Sequence, residues 1–102
     1  MRPYVLTKGA AADIRKITRY TVEKWGDAQC RAYIEQIEHA ASEVATGQGV
    51  FKDMSSLLPG LRMKAAGRHY IFGVPQTSGP ALILAVLHEK MDLIARLKNR
   101  LD

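Results

Sequence analysis

Apolar residues recur along this chain with two different periods, and the change from one to the other divides it in the middle. Ala10, Ile14, Ile17, Thr21 and Trp25 fall on one face of a helical wheel, with Arg15, Lys16, Arg19 and Glu23 opposite. The spacing predicts a helix that begins after the breaker Gly9 and stops at Gly26, with Trp25 closing its buried stripe. Asp27 is placed to cap a second helix. In that helix Cys30, Ile34, Ile37, Ala41 and Val44 line up, while Arg31, Glu35, His39 and Ser42 turn away, as far as Thr46-Gly47-Gln48-Gly49. Two amphipathic helices joined by a Gly-Asp turn make an antiparallel hairpin, and each stripe needs an apolar surface to lie on.

Strand-like runs supply that surface. Tyr4 to Thr7 is a short β-prone run after Pro3, and residues 50–60 read as a loop ending in Leu58-Pro59-Gly60. The period then becomes two: Leu61, Met63 and Ala65 alternate with Arg62 and Lys64, which predicts a half-buried strand with a basic outer face. His69 to Val74 and Ala81 to Leu87 follow as strands between short turns, the last apolar on both faces and so covered on both. Met91, Ile94, Leu97 and Leu101 predict a buried stripe on a terminal helix, with Arg96 and Arg100 on its polar side. The order strand, helix, helix, three strands, helix defines an α+β domain over residues 1–102, an antiparallel meander with the hairpin on one face. Only the short terminal helix remains for the other face, which is expected to be incompletely covered and able to dock a partner.

Size and charge narrow the partners. A chain of 102 residues with 47% hydrophobic content can build one core. The longest apolar run, Ala81 to Leu87, falls far short of the ~20 residues of a membrane helix, and the N-terminus lacks a secretory pattern. With one cysteine, Cys30, these features imply a cytoplasmic protein. The net charge of +5 favours acidic partners. Its distribution is uneven: residues 27–46 carry four acids and one base, and residues 60–100 carry seven bases and two acids.

Candidate chemistry is sparse. His39, His69 and His88 have no partners at metal-ligand spacing, so no metal or other cofactor is expected. Ser55, Ser56 and Ser78 lie outside any nucleophile-elbow pattern, Cys30 belongs to an apolar stripe, and the glycines match no nucleotide-binding loop. No catalytic residue is assigned. Arg62, Lys64, Arg68, His69 and Tyr70 could hold RNA phosphates and move protons, or receive the acidic side chains of a protein. A plain nucleic-acid-binding module has the charge, but among seven aromatics the sequence marks no stacking platform.

These residues carry a resemblance. GLR opening the first meander strand, GRHYIF on the second, VLHEKMDLIARL running into the terminal helix and the Trp25-Gly26-Asp27 junction together resemble the ParE branch of the RelE/ParE toxins. The resemblance covers essentially the whole chain. It implies the toxin of a bacterial toxin–antitoxin pair of the kind that stabilises plasmids, held inactive by a ParD-type antitoxin. Toxins of this branch inhibit DNA gyrase by binding and trap its cleaved-DNA state, which is not catalysis. The RelE alternative, cleavage of messenger RNA on the ribosome, uses bases and a tyrosine on the sheet and C-terminal segment, and residues 96–102 here contain neither Tyr nor His. An antitoxin arm that orders on binding would suit the open sheet face and its basic strand, which makes Arg62, Lys64, Arg68, Tyr70 and Ile71 the candidate antitoxin contacts. The cations on the polar side of the terminal helix, Arg96, Lys98 and Arg100, are the candidate target contacts.

Overall fold

A computed structural model describes residues 2–101. Its elements are β1 (Tyr4–Leu6), α1 (Lys8–Trp25), α2 (Asp27–Thr46), β2 (Lys52–Asp53), β3 (Arg62–Ala66), β4 (His69–Val74), β5 (Ala81–His88) and α3 (Leu93–Leu101). One five-stranded sheet has the order β1-β5-β4-β3-β2. The meander β3-β4-β5 is antiparallel as expected, and β1 adds to its far edge parallel to β5, with Tyr4 opposite Ala81. No helix among the described residues is long and apolar enough to cross a membrane.

The local boundaries follow from caps that the periodicity only approximates. Thr7 caps α1: its hydroxyl accepts the Ala10 amide at 3.2 Å and reaches the Ile83 carbonyl of β5 at 3.2 Å, so the end of β1 and the start of α1 are fixed together. Gly9 therefore lies inside the first turn of α1 and does not break it. It has a packing role, because a Cβ there would stand 2.7 Å from Nη1 of Arg100. The cap position of α2 is Gly26, and Asp27 is its first helical residue. Asp27 meets the positive end of the helix dipole but does not act as the expected side-chain cap. The two-residue strand β2, paired to β3, is too short to have stood out from the loop that was expected there.

The sheet is covered on both faces. Ile17, Ile37, Ala41 and Val44 of the hairpin pack on Ala66, Ile71, Ile83 and Val86. On the opposite face Phe72, Ala85 and Leu87 are closed over by Leu97 of α3 and by Met54 and Leu61 from the segment before β3. This corrects the expectation of an open face. The segment 54–61, read as a loop, carries apolar side chains that share the work with α3, and the Met54 amide is tied to the Leu61 carbonyl at 2.8 Å.

The terminal helix also turns differently from its predicted stripe. Asp92 caps it by accepting the Ala95 amide, so Met91 precedes the helix. Leu93, Leu97 and Leu101, four apart, form the inner face; Met91 and Ile94 stand in solvent at 41% and 42% exposure. Strand β3 reverses part of its predicted facing as well. Met63 packs on the α3 side, but Ala65 is exposed, and Arg62 and Lys64 lie on the hairpin side and not on an outer solvated face.

Candidate functional site

The C-terminal turn of α2 explains where the two strand cations go. Arg62 donates to the Val44 carbonyl at 2.8 Å and lies 4.9 Å above the Phe51 ring. Lys64 donates to the Val50 carbonyl at 2.6 Å and stands 3.6 Å from Glu43. Val44 lies in the last turn of α2, whose carbonyls attract cations, and Val50 in the loop just beyond it, so both side chains close the edge of the hairpin. Ile71 has no exposed surface, and Tyr70 is half-buried on the α3 side. Of the five residues expected at the antitoxin contact, Arg68 alone is freely exposed. The structure does not bring them onto one surface.

The three cations of α3 separate in the same way. Arg100 makes a two-pronged contact with Asp13 of α1, both nitrogen–oxygen distances being 3.0 Å, and donates to the Leu84 carbonyl at 2.9 Å. Asp13 also accepts the Val86 amide at 2.9 Å. The hydrogen bonds to Asp13 hold the Arg100 guanidinium more firmly in its charged form. Leu84 is available because β4 and β5 shift register after Phe72: Phe72 faces Ala85, Gly73 faces Ile83, and Leu84 is the extra residue. Arg100 is thus a clamp between α3, α1 and β5, which corrects its placement as a free target contact. Arg96 and Lys98 are exposed, with no ionic partner among the described residues.

At the other end of the sheet, where the hairpin turns, a second cluster forms. His69 and His88 are opposite each other on β4 and β5, their rings edge to face at 5.1 Å. The Tyr33 hydroxyl of α2 lies 2.5 Å from Nδ1 of His69, within reach of the Ala66 carbonyl, and accepts the Arg68 amide at 3.0 Å. This contact holds the β3-β4 turn, whose Gly67 has φ +58° and would place a Cβ against the Tyr33 ring. Burial first, and the neighbouring His88 second, push His69 down to about 4. Burial also raises Tyr33 above its usual range. At neutral pH both are therefore uncharged. Nδ1 of His88 accepts the Lys90 amide at 3.1 Å. Among the described residues no three His, Cys, Asp or Glu side chains converge as a metal set.

This cluster floors a cavity of about 660 Å³ between the end of α1, the start of α2 and the β3-β4 turn. Trp25 is on its rim and 58% exposed, not buried in the core. Periodicity put it on the inner stripe, but it is the last residue of α1 and faces the groove beside the turn. Tyr20, 59% exposed, stands on the same rim with Lys24 over its ring at 5.7 Å. Sequence reasoning singled out Arg68 and His69 but missed the site around them, because Tyr20 comes from α1, Tyr33 from α2, Gly67 from the β3-β4 turn and His88 from β5.

A groove rimmed by exposed aromatics and cations, on an α+β fold with two more exposed cations on α3, has the surface composition common at macromolecular interfaces. The comparisons place the chain more closely. The chain belongs to the family of the ParE toxin of the type II toxin–antitoxin system, parDE, whose pattern it matches over residues 4–93. It is 50% identical over 101 residues to a Toxin ParE of Escherichia coli, covering 99% of this chain and 98% of that protein. To a Toxin ParE1 of Caulobacter vibrioides it is 30% identical over 97 residues, covering 95% and 99%. A solved structure described as the chromosomal ParDE TA system from P. aeruginosa superposes with a TM-score of 0.65 at 18% identity, over 83% of this chain and 92% of that one. That likeness concerns the fold. The expected family and architecture agree with these findings, and the chain is a toxin of a type II toxin–antitoxin system.

Proposed function

We propose that this toxin arrests growth in the cytoplasm by binding DNA gyrase, without itself catalysing a reaction, and that a ParD-type antitoxin neutralises it. The observation that carries the reading is the end-to-end match at 50% identity to a Toxin ParE, over 99% of this chain. The site chemistry supports it. A messenger-RNA endonuclease needs groups poised to exchange protons near pH 7. His69, held down to about 4, is unprotonated there and a weak base, and Tyr33 is raised in the other direction. The residues left free to meet a target are Arg96 and Lys98 on α3, which stay exposed once Arg100 is committed to Asp13.

The test is a gyrase supercoiling assay with the purified chain, alone and after addition of the partner encoded beside it. The chain alone is expected to inhibit, and the partner to relieve inhibition. Reversing Arg96 and Lys98 to Glu should abolish inhibition with little change in stability, because exposed positions of this kind move stability by within about 0.5 kcal/mol. Ribosome-dependent cleavage of messenger RNA with supercoiling untouched would refute the reading.

A further inference from the structure

The groove at the hairpin end is lined by side chains of a distinctive chemistry. Rings dominate it: Tyr20 and Trp25 on the rim, with Tyr33, His69 and His88 toward the floor. Ile17 is the sole aliphatic side chain there besides the Thr21 methyl. A groove made for an amphipathic peptide presents Leu, Ile, Val and Met to receive aliphatic anchors; this one presents flat π-faces. Lys24, Arg68 and Lys90 stand around it, and no carboxylate lines it. Arg68 touches Glu89, outside the lining, at a long 3.4 Å with its side chain 71% exposed, a contact readily exchanged for an anion. His69 adds no charge at neutral pH, so the cations that line the groove are Lys24, Arg68 and Lys90. Gln29, exposed at the start of α2, offers an amide donor and acceptor to the same space.

We propose that this groove binds a segment of single-stranded DNA, a base stacking on the exposed Trp25 ring while the flanking phosphates meet Lys24, Arg68 and Lys90. Aromatic platforms beside a cationic track are the physical basis of single-strand binding, and every base offers a face to such a platform. Gln29 is positioned to pair with a base edge. The cavity of about 660 Å³ is open and accommodates a nucleotide with room for the chain to continue on either side. The groove chemistry calls for a single-stranded nucleic acid. The choice of DNA rests on the gyrase reading, in which the toxin meets cleaved DNA.

The experiment measures anisotropy of a labelled oligothymidylate, alongside quenching of Trp25, the chain's single tryptophan. Oligouridylate, duplex DNA and a glutamate-rich peptide are the comparison ligands. Oligothymidylate is expected to quench Trp25 and to bind with a log–log salt slope of about −2, the value for three phosphates neutralised on a single strand. Trp25→Ala should weaken binding about tenfold, and Lys24→Gln with Lys90→Gln should reduce the slope to about −0.7. All three side chains are exposed, so an unchanged melting temperature certifies that each variant is folded. The proposal is overturned if Trp25→Ala binds like the parent, if duplex binds as tightly as single strand, or if the glutamate-rich peptide displaces the oligonucleotide. Tighter binding of oligouridylate would remove DNA as the ligand. Supercoiling assays on the same protein separate the two readings: binding without gyrase inhibition leaves the groove and refutes the target, whereas inhibition without binding does the reverse.

Discussion

Replacing Arg100 tests how α3 is held on the sheet. The side chain reaches Asp13 through two nitrogen–oxygen contacts of 3.0 Å and the Leu84 carbonyl at 2.9 Å. Its side chain is 31% exposed and that of Asp13 is 14% exposed, so the pair lies between a surface bridge and a buried one. A surface pair contributes about 0–1 kcal/mol, while breaking a buried one costs about 3–5 kcal/mol. Arg100→Ala leaves Asp13 with the Val86 amide as its remaining partner and strips the Leu84 carbonyl of its side-chain donor. An intermediate cost of about 2 kcal/mol follows, which for a domain of this size lowers the melting temperature by about 8–16 °C. Arg100→Glu should cost more, since it sets a carboxylate beside Asp13. Urea unfolding of Arg100→Ala, Asp13→Asn and the double variant gives a coupling energy, expected at about 1–2 kcal/mol. Arg96→Ala, four residues away and exposed, is the control and should change stability by less than about 0.5 kcal/mol. If Arg100→Ala unfolds like that control, the clamp does not hold the helix.

Two further outcomes are expected. His69 titrates at about 4 in the fold against 6.5 when unfolded, so the unfolded chain binds more protons between those values. Stability is then complete above pH 6.5 and declines as pH falls toward 4; the limit is about 3 kcal/mol, reduced to about 1–2 by the ring's partial exposure. His69→Gln should flatten that part of a pH series of urea midpoints, and an unchanged slope would show that the histidine is not the titrating group. Trp25→Ala should remain folded and lose about 1 kcal/mol or less, because its ring is 58% exposed; an insoluble product would return Trp25 to the core.

Much of the fold was legible in the sequence because it depends on local period. The hairpin stripes through Ile17 and Ile37 reflect an element facing one packed layer, and the doubly apolar β5 one that is packed on both faces. Family membership was legible too, since the segments that carry it run in order along the chain. What periodicity could not reveal was which neighbour a residue would meet. Trp25 satisfied the wheel but lies at a helix end where the packed layer stops, so it rims a groove. Met91 satisfied the spacing of a helix that starts two residues later, at Leu93. Arg62 and Lys64 were judged by polarity alone, yet the Val44 carbonyl in the last turn of α2 and the Val50 carbonyl in the loop beyond it give them partners on the inner side of β3. Arg100 meets Asp13 across 87 residues of sequence, at a carbonyl freed by a one-residue register shift. Tyr33, His69 and His88 become a site because α2 crosses two adjacent strands at one level. Sequence fixes which side chains are apolar, charged or ring-bearing and how they repeat; their pairing depends on distances between elements, and those exist once the layers have packed.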